Sequence, residues 1–214
     1  MNTGMDPELD VTSDDNNVPI DSHREFGRRR TLLEVAVVAA FTLLMTLPFL
    51  ARAFDMDDII FLKLAEARLD NPLLLQLKDF VFFGVLNQTF IDTHPPLVST
   101  WLALAMKLSG GESEIWLHLA FIVFPLMASI SMYFLARRFV RNALPAALIL
   151  AGTPGVVVMS HTLMSDLPGL AFWLAATASY VYGLERRSLV LMVLSALALT
   201  LGVFTSYPVL AAIP

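Results

Sequence analysis

Thr31–Leu50, TLLEVAVVAAFTLLMTLPFL, is the stretch on which the fold class turns. A helix needs about 20 consecutive apolar residues to cross a hydrocarbon core. This run supplies them, with one acid, Glu34, in its first turn, where headgroup depth keeps the cost of the charge small. Arg28-Arg29-Arg30 stand immediately before it, and Asp55, Asp57 and Asp58 follow just after it. The arginines assign the N-terminal flank to the cytoplasm and the acids to the opposite side. A cleavable signal would carry its apolar stretch nearer the start and end it at a small-residue cleavage site, so the run reads as an uncleaved anchor.

Composition agrees. The chain is 57% hydrophobic and 15% charged, with a mean hydropathy of +0.68; soluble domains sit near half apolar with about a quarter charged. The net charge of −5 leaves no basic face for nucleic acid. The absence of cysteine excludes disulfides, thiolate metal sites and cysteine nucleophiles. Residues 1–30 are polar, rich in Asp and Asn and without periodicity, and read as a disordered cytoplasmic tail.

Four further apolar runs qualify as spans: Ile115–Leu135, Ala143–Met159, Leu167–Leu184 and Ser188–Phe204. With five crossings the basic clusters Arg28–Arg30, Arg137/Arg138/Arg141 and Arg186/Arg187 all fall inside, as short basic loops do. Asp55–Asp58, Asp92–His94, Glu112–Glu114 and His161–Asp166 then fall outside. The expected fold is an all-α polytopic membrane protein of the cell membrane, with residues 31–214 as its transmembrane domain. Its outer loop, residues 51–114, is too apolar to be free. It reads as interfacial helices over Asp57–Leu69, over Leu73–Leu86 after the Asn71-Pro72 start, and over Pro95–Ser109 before Gly110-Gly111. The abrupt end at Ile213-Pro214 reads as a fragment of a longer membrane protein.

The candidate chemistry gathers on the outer side. A carboxylate at a low-dielectric boundary, beside like charges, has a raised pKa and suits a general base, which describes Asp57 and Asp58 with Asp55 beside them. The alternative is an acidic flank in which Asp57 or Asp58 caps a helix. His94, held before Pro95-Pro96, could bind a phosphate or orient an acceptor. Asp166, ahead of Pro168, opens a span on the same side as Asp57. Asp92, His94 and His161 match no standard ligand spacing, so no metal and no cofactor are expected. No glycine-rich phosphate loop, Ser-His-Asp ordering or His-Glu-x-x-His helix occurs. The substrate must therefore reach the outer leaflet without a nucleotide, and a polyprenyl-phosphate-linked sugar meets that demand.

Five short motifs share one order with a known family. Asp57-Asp58-Ile59-Ile60-Phe61 after the first span resembles the Asp-Glu motif of GT-C glycosyltransferases, in their protein O-mannosyltransferase and aminoarabinose-transferase branch. His94-Pro95-Pro96-Leu97 is similar to that branch's His-Pro-Pro-Leu, and Gly110-Gly111-Glu112-Ser113-Glu114 to its Gly-x-Ser-Glu. Leu135-Ala136-Arg137-Arg138-Phe139 resembles its inner-loop Leu-Ala-Arg-Arg-Leu-Phe, and Ser165-Asp166-Leu167-Pro168 its Thr-Asp-Ala-Pro. Asp58 stands where Glu is usual.

The resemblance implies inverting transfer from a polyprenyl-phosphate sugar to a lipid, protein or glycan acceptor on the extracytoplasmic face. It assigns Asp57 as the catalytic base, Asp58 as its acidic neighbour that helps to position the acceptor, His94 near the donor phosphate and Asp166 as the second outer carboxylate. Arg52, Lys63 and Lys78 are outer-side cations suited to the departing phosphate. Two other classes stay open on the residues alone: a transporter subunit, and a non-catalytic scaffold.

Overall fold

The computed structural model describes residues 20–71, 76–82, 84–91 and 94–212. The chain divides into two units, Met1–Glu34 and Val35–Pro214. In the first, the described residues are helical from Ile20, the start of α1 (Ile20–Thr46), well before the apolar run begins at Thr31. Residues 20–30 are therefore helix rather than disordered tail, and Arg30 Nε donates to Glu34 Oε1 one turn on at 2.8 Å. Residues 1–19 of the expected tail lie outside the described residues.

Among the described residues three helical stretches are long and apolar enough to cross a membrane: Arg28–Phe49, Glu114–Phe139 and Asp166–Arg186. The second joins α4 (Glu114–Phe121) to α5 (Val123–Phe139), and the third is α8 (Asp166–Arg186). Two of the five expected spans come out differently. Ala143–Met159 is broken into α6 (Leu144–Gly152) and α7 (Pro154–Met159). The cause is Pro154: it lacks an N–H and forces its predecessor out of the helical region, and Thr153 is extended at φ −63°, ψ 129°. The last expected span forms α9 (Leu189–Val203), an apolar helix shorter than the three spans.

Residues 51–114 hold two of the three helices expected there. α2 (Asp58–Asp70) and α3 (Leu97–Ser109) lie where the pattern places them. α3 stops at Gly110, whose φ of 81° is the left-handed conformation that glycine adopts without a Cβ penalty. The middle helix is a correction. Instead of Leu73–Leu86, the described residues form an antiparallel hairpin, β1 (Gln76–Phe82) with β2 (Val85–Ile91), in which Phe82 pairs with Val85. Phe80-Val81-Phe82 and Thr89-Phe90-Ile91 are β-forming residues flanking a two-residue turn, and Gly84 there takes φ 77°.

A single apolar cluster joins the loop helices to the long ones. Phe61 and Ala65 of α2 and Leu102 and Met106 of α3 pack with Leu117 and Phe121 of α4, Phe124 and Ala128 of α5, and Leu163, Leu167 and Ala171. A second cluster wraps Val38 of α1 and Ala143 and Ala147 around Tyr133 of α5. Helix α8 lies against α9 through small residues: Cβ atoms added at Gly183 and Gly202 would come within 3.0 Å of Met192 Cγ and 3.1 Å of Phe172 Cβ. Ser195 Oγ donates to the Ala176 carbonyl at 2.8 Å across the same seam.

These contacts give Val35–Pro214 two chemically distinct ends. Arg138 pairs with Glu185, and the Tyr182 hydroxyl donates to the Phe134 carbonyl at 3.0 Å, so α5 and α8 end side by side at a basic end. His161 Nε2 lies 3.1 Å from the Met45 carbonyl, and His118 Nδ1 lies 3.1 Å from the Leu50 carbonyl. Those bonds bring the C-terminus of α1, the start of α4 and the loop before α8 together at the opposite, acidic end.

Candidate active site at the acidic end

The three neighbouring acids have three different environments. Asp55 is exposed and receives Arg52 Nη2 at 2.8 Å. Asp58 is 0% exposed. Its Oδ2 accepts from the Asp55 N–H at 2.9 Å, and its Oδ1 accepts from the Leu163 N–H at 2.7 Å, in the loop between α7 and α8. Burial pushes this carboxyl above the ordinary aspartate range, while the two backbone donors and nearby His118 pull it back. Both of its oxygens are thus engaged inside the fold. Asp57, at the N-cap position of α2, is exposed and makes no side-chain cap hydrogen bond.

His94 is exposed and its ring packs on Phe61, with centroids 5.1 Å apart. Phe61 follows Asp57 by one helical turn, so the imidazole stands over the face of α2 that begins with Asp57. The turn that carries His94 is itself anchored, since the Leu97 N–H donates to the Phe204 carbonyl at 2.9 Å. Asp92 lies outside the described residues.

Asp166 is exposed at the first residue of α8, just after the loop that Asp58 holds. With Gly169, Leu170 and Trp173 it forms one wall of a groove of about 290 Å³, closed by Ser206, Pro208 and Val209. The spacing of those α8 residues is that of one helical face.

Two of the three expected cations are engaged by carboxylates. Arg52 is bound to Asp55, and Lys63 Nζ donates to Glu66 Oε2 at 2.6 Å, a bond that pushes the ammonium up. Lys78 lies on β1 and shares a shallow groove with Lys63 and Glu66. Among the described residues no three His, Asp or Glu side chains come together in a way that could hold a metal ion.

Two histidines support the site from below. His161 is buried, stacks on Phe49 at 3.9 Å between centroids, and is pushed down by that burial. His118, 3% exposed, was missed by the sequence reading. Its Nδ1 lies 3.1 Å from the Leu50 carbonyl and 2.9 Å from the Glu114 carbonyl, so Nδ1 carries the proton and donates. Among the described residues its buried Nε2 has no hydrogen-bond partner. The available signal was an ionisable side chain within an otherwise apolar span.

The comparisons with known proteins bear on this end. A family model described as dolichyl-phosphate-mannose-protein mannosyltransferase matches residues 93–214. The match takes in His94, His118, His161 and Asp166; Asp55, Asp57 and Asp58 precede it. No curated protein and no solved structure matches the chain. Because the match covers more than half of the 214 residues, and falls on membrane-spanning helices, this chain belongs to the dolichyl-phosphate-mannose-protein mannosyltransferase family, membrane glycosyltransferases of the GT-C type.

Proposed function

We propose that the protein transfers a sugar from a polyprenyl-phosphate donor to an acceptor hydroxyl or amine, with inversion, at the extracytoplasmic face of a membrane that the chain crosses several times. The basic end lies in the cytoplasm and the acidic end opposite, following the distribution of short basic loops. The division of labour among three adjacent acids carries this reading: Asp55 is paired, Asp58 is buried and bonded, and Asp57 is exposed without a cap bond.

In this scheme Asp57 takes the acceptor proton as the acceptor atom attacks the anomeric carbon. The bond from that carbon to the phosphate oxygen breaks, and polyprenyl phosphate leaves. Asp58 fixes the turn that presents Asp57, so it sets the acceptor position through the backbone. His94 faces the donor phosphate. Arg52 and Lys63 exchange their present carboxylate partners for the phosphate, a charge-assisted bond of the same kind. Asp166 accepts hydrogen bonds from sugar hydroxyls, while the apolar groove beside it receives the isoprenoid chain.

The test is Asp57→Asn in membranes supplied with a labelled polyprenyl-phosphate sugar. Transfer should fall by about 10²–10⁴-fold, the usual worth of a positioned base, with insertion and expression unchanged. Parent-level transfer by this variant would remove Asp57 from the mechanism.

A further inference from the structure

The basic end carries a second groove, remote from the transfer site. It has a volume of about 250 Å³ and runs along one face of α8 through Ala175, Ala178, Ser179, Tyr182 and Arg186. Phe134 of α5 and Leu191 of α9 close its sides. From Ala175 to Arg186 the helix rises about 16 Å at 1.5 Å per residue, which matches one leaflet of a hydrocarbon core about 30 Å thick. Ala175, Ala178 and Ser179 are small and keep the α8 wall low away from the mouth, leaving room for a flexible chain.

At the mouth the chemistry changes abruptly. The Arg186 guanidinium lies over the Tyr182 ring, 5.2 Å from its centroid, which stiffens a long side chain at the groove's edge. Arg187 follows at φ 49°, ψ 40°, a left-handed conformation that glycine fills more readily. The turn into α9 thus keeps a second cation at a backbone position unfavourable to a side chain. Glu185, the acid beside them, is taken up by Arg138. Leu189 and Val190, the two residues before Leu191 on α9, are exposed apolar side chains.

The geometry points to a binding site for an anionic phospholipid. One acyl chain fills the groove between α5, α8 and α9, and the phosphate sits against Arg186 with Arg187 nearby. The complementarity has two parts, a cationic rim at headgroup depth and an apolar slot one leaflet long. A zwitterionic lipid satisfies only the second, and a soluble phosphate only the first.

The whole chain, purified in detergent and stripped of lipid, would be supplemented with dioleoyl-phosphatidylglycerol or dioleoyl-phosphatidylcholine at equal mole fraction. The anionic lipid should raise the thermal midpoint by about 5 °C more than the zwitterionic one. Arg186→Gln should abolish that difference. Arg141→Gln, which removes the same charge outside the groove, should keep it. Ser179→Phe should abolish it by filling the slot while Arg186 remains; if that variant does not fold, the paired arginine variants decide. Glycerol 3-phosphate should give no shift. Equal midpoints with the two lipids, equal behaviour of the two arginine variants, or a full shift with glycerol 3-phosphate would each overturn the site.

Discussion

Helix α8 begins with Asp166 beside a groove closed by Ser206 and Val209, and it ends with Arg186 beside a groove closed by Phe134 and Leu191. The grooves are close in size, about 290 and 250 Å³, yet their polar surroundings are built on opposite plans. At the basic end the polar groups hold one another: Arg138 with Glu185, Tyr182 with the Phe134 carbonyl, Arg186 on Tyr182. At the acidic end buried groups hold the backbone, as Asp58 does at Asp55 and Leu163, while Asp57 and Asp166 stay exposed. A reactive group needs a rigid mount and a bare tip. Only the acidic end provides both, whereas at the basic end the polar groups are taken up by one another.

The largest contrast is catalytic. Asp57→Asn should cost about 10²–10⁴-fold in transfer, and Arg186→Gln less than about twofold, since it removes no group near the reacting atoms. Comparable losses from the two would erase the distinction between the ends. Asp58→Ala should follow, because it strands the buried Leu163 N–H, at about 1–3 kcal/mol, and removes the acceptor of the part-buried Asp55 N–H. Asn in its place keeps one acceptor and should lose about half as much, read as the midpoint of denaturant unfolding in detergent.

The α8–α9 seam permits a matched pair. Gly202→Ala presses a methyl against Val209 and Phe172 beside the acidic groove, and Gly183→Ala presses one against Met192 at the basic turn. Each should cost about 1–3 kcal/mol of stability. Only Gly202→Ala should also lower transfer, measured at equal folded protein.

The smallest effect is a pH dependence. Burial holds the His161 imidazole below its ordinary value of 6.5, so its folded value is depressed relative to the unfolded chain. Its contribution to stability is therefore present above pH 6.5 and lost as pH falls through the lower folded value. Thermal midpoints on either side of pH 6.5 should show this loss in the parent, and His161→Gln should flatten it. An equal slope in both proteins would assign the effect elsewhere.

What could be read in advance follows the range of the interactions involved. The ends of α2 and α3 are written locally, in the acids at Asp57-Asp58 and in Gly110-Gly111, and they lie where the pattern puts them. The break at Thr153-Pro154 was equally local, and counting apolar residues across Ala143–Met159 gave too little weight to the proline. The hairpin is a misread period. Gln76, Lys78 and Asp79 lend the segment a mixed helical look, while Phe80-Val81-Phe82 and the turn at Gly84 belong to paired strands. The burial of Asp58 had no local signature at all. Its two neighbours in sequence are exposed, and what distinguishes it is a backbone donor from a distant loop. Position and charge marked the group of acids; the tertiary fold sorted them.

That donor, the Leu163 N–H, follows Asp58 by 105 residues. At about 5–20 residues per second, a ribosome emits it roughly 5–20 s after the acid has been synthesised. Through that interval a nascent chain holds its first helix and the turn beyond it, with the Asp55 N–H available to Asp58 but its second donor, Leu163, not yet made. The acidic end is thus completed only once the loop before α8 has been made, and chains stalled before residue 163 carry Asp55, Asp57 and Asp58 yet lack the bond from that loop to Asp58.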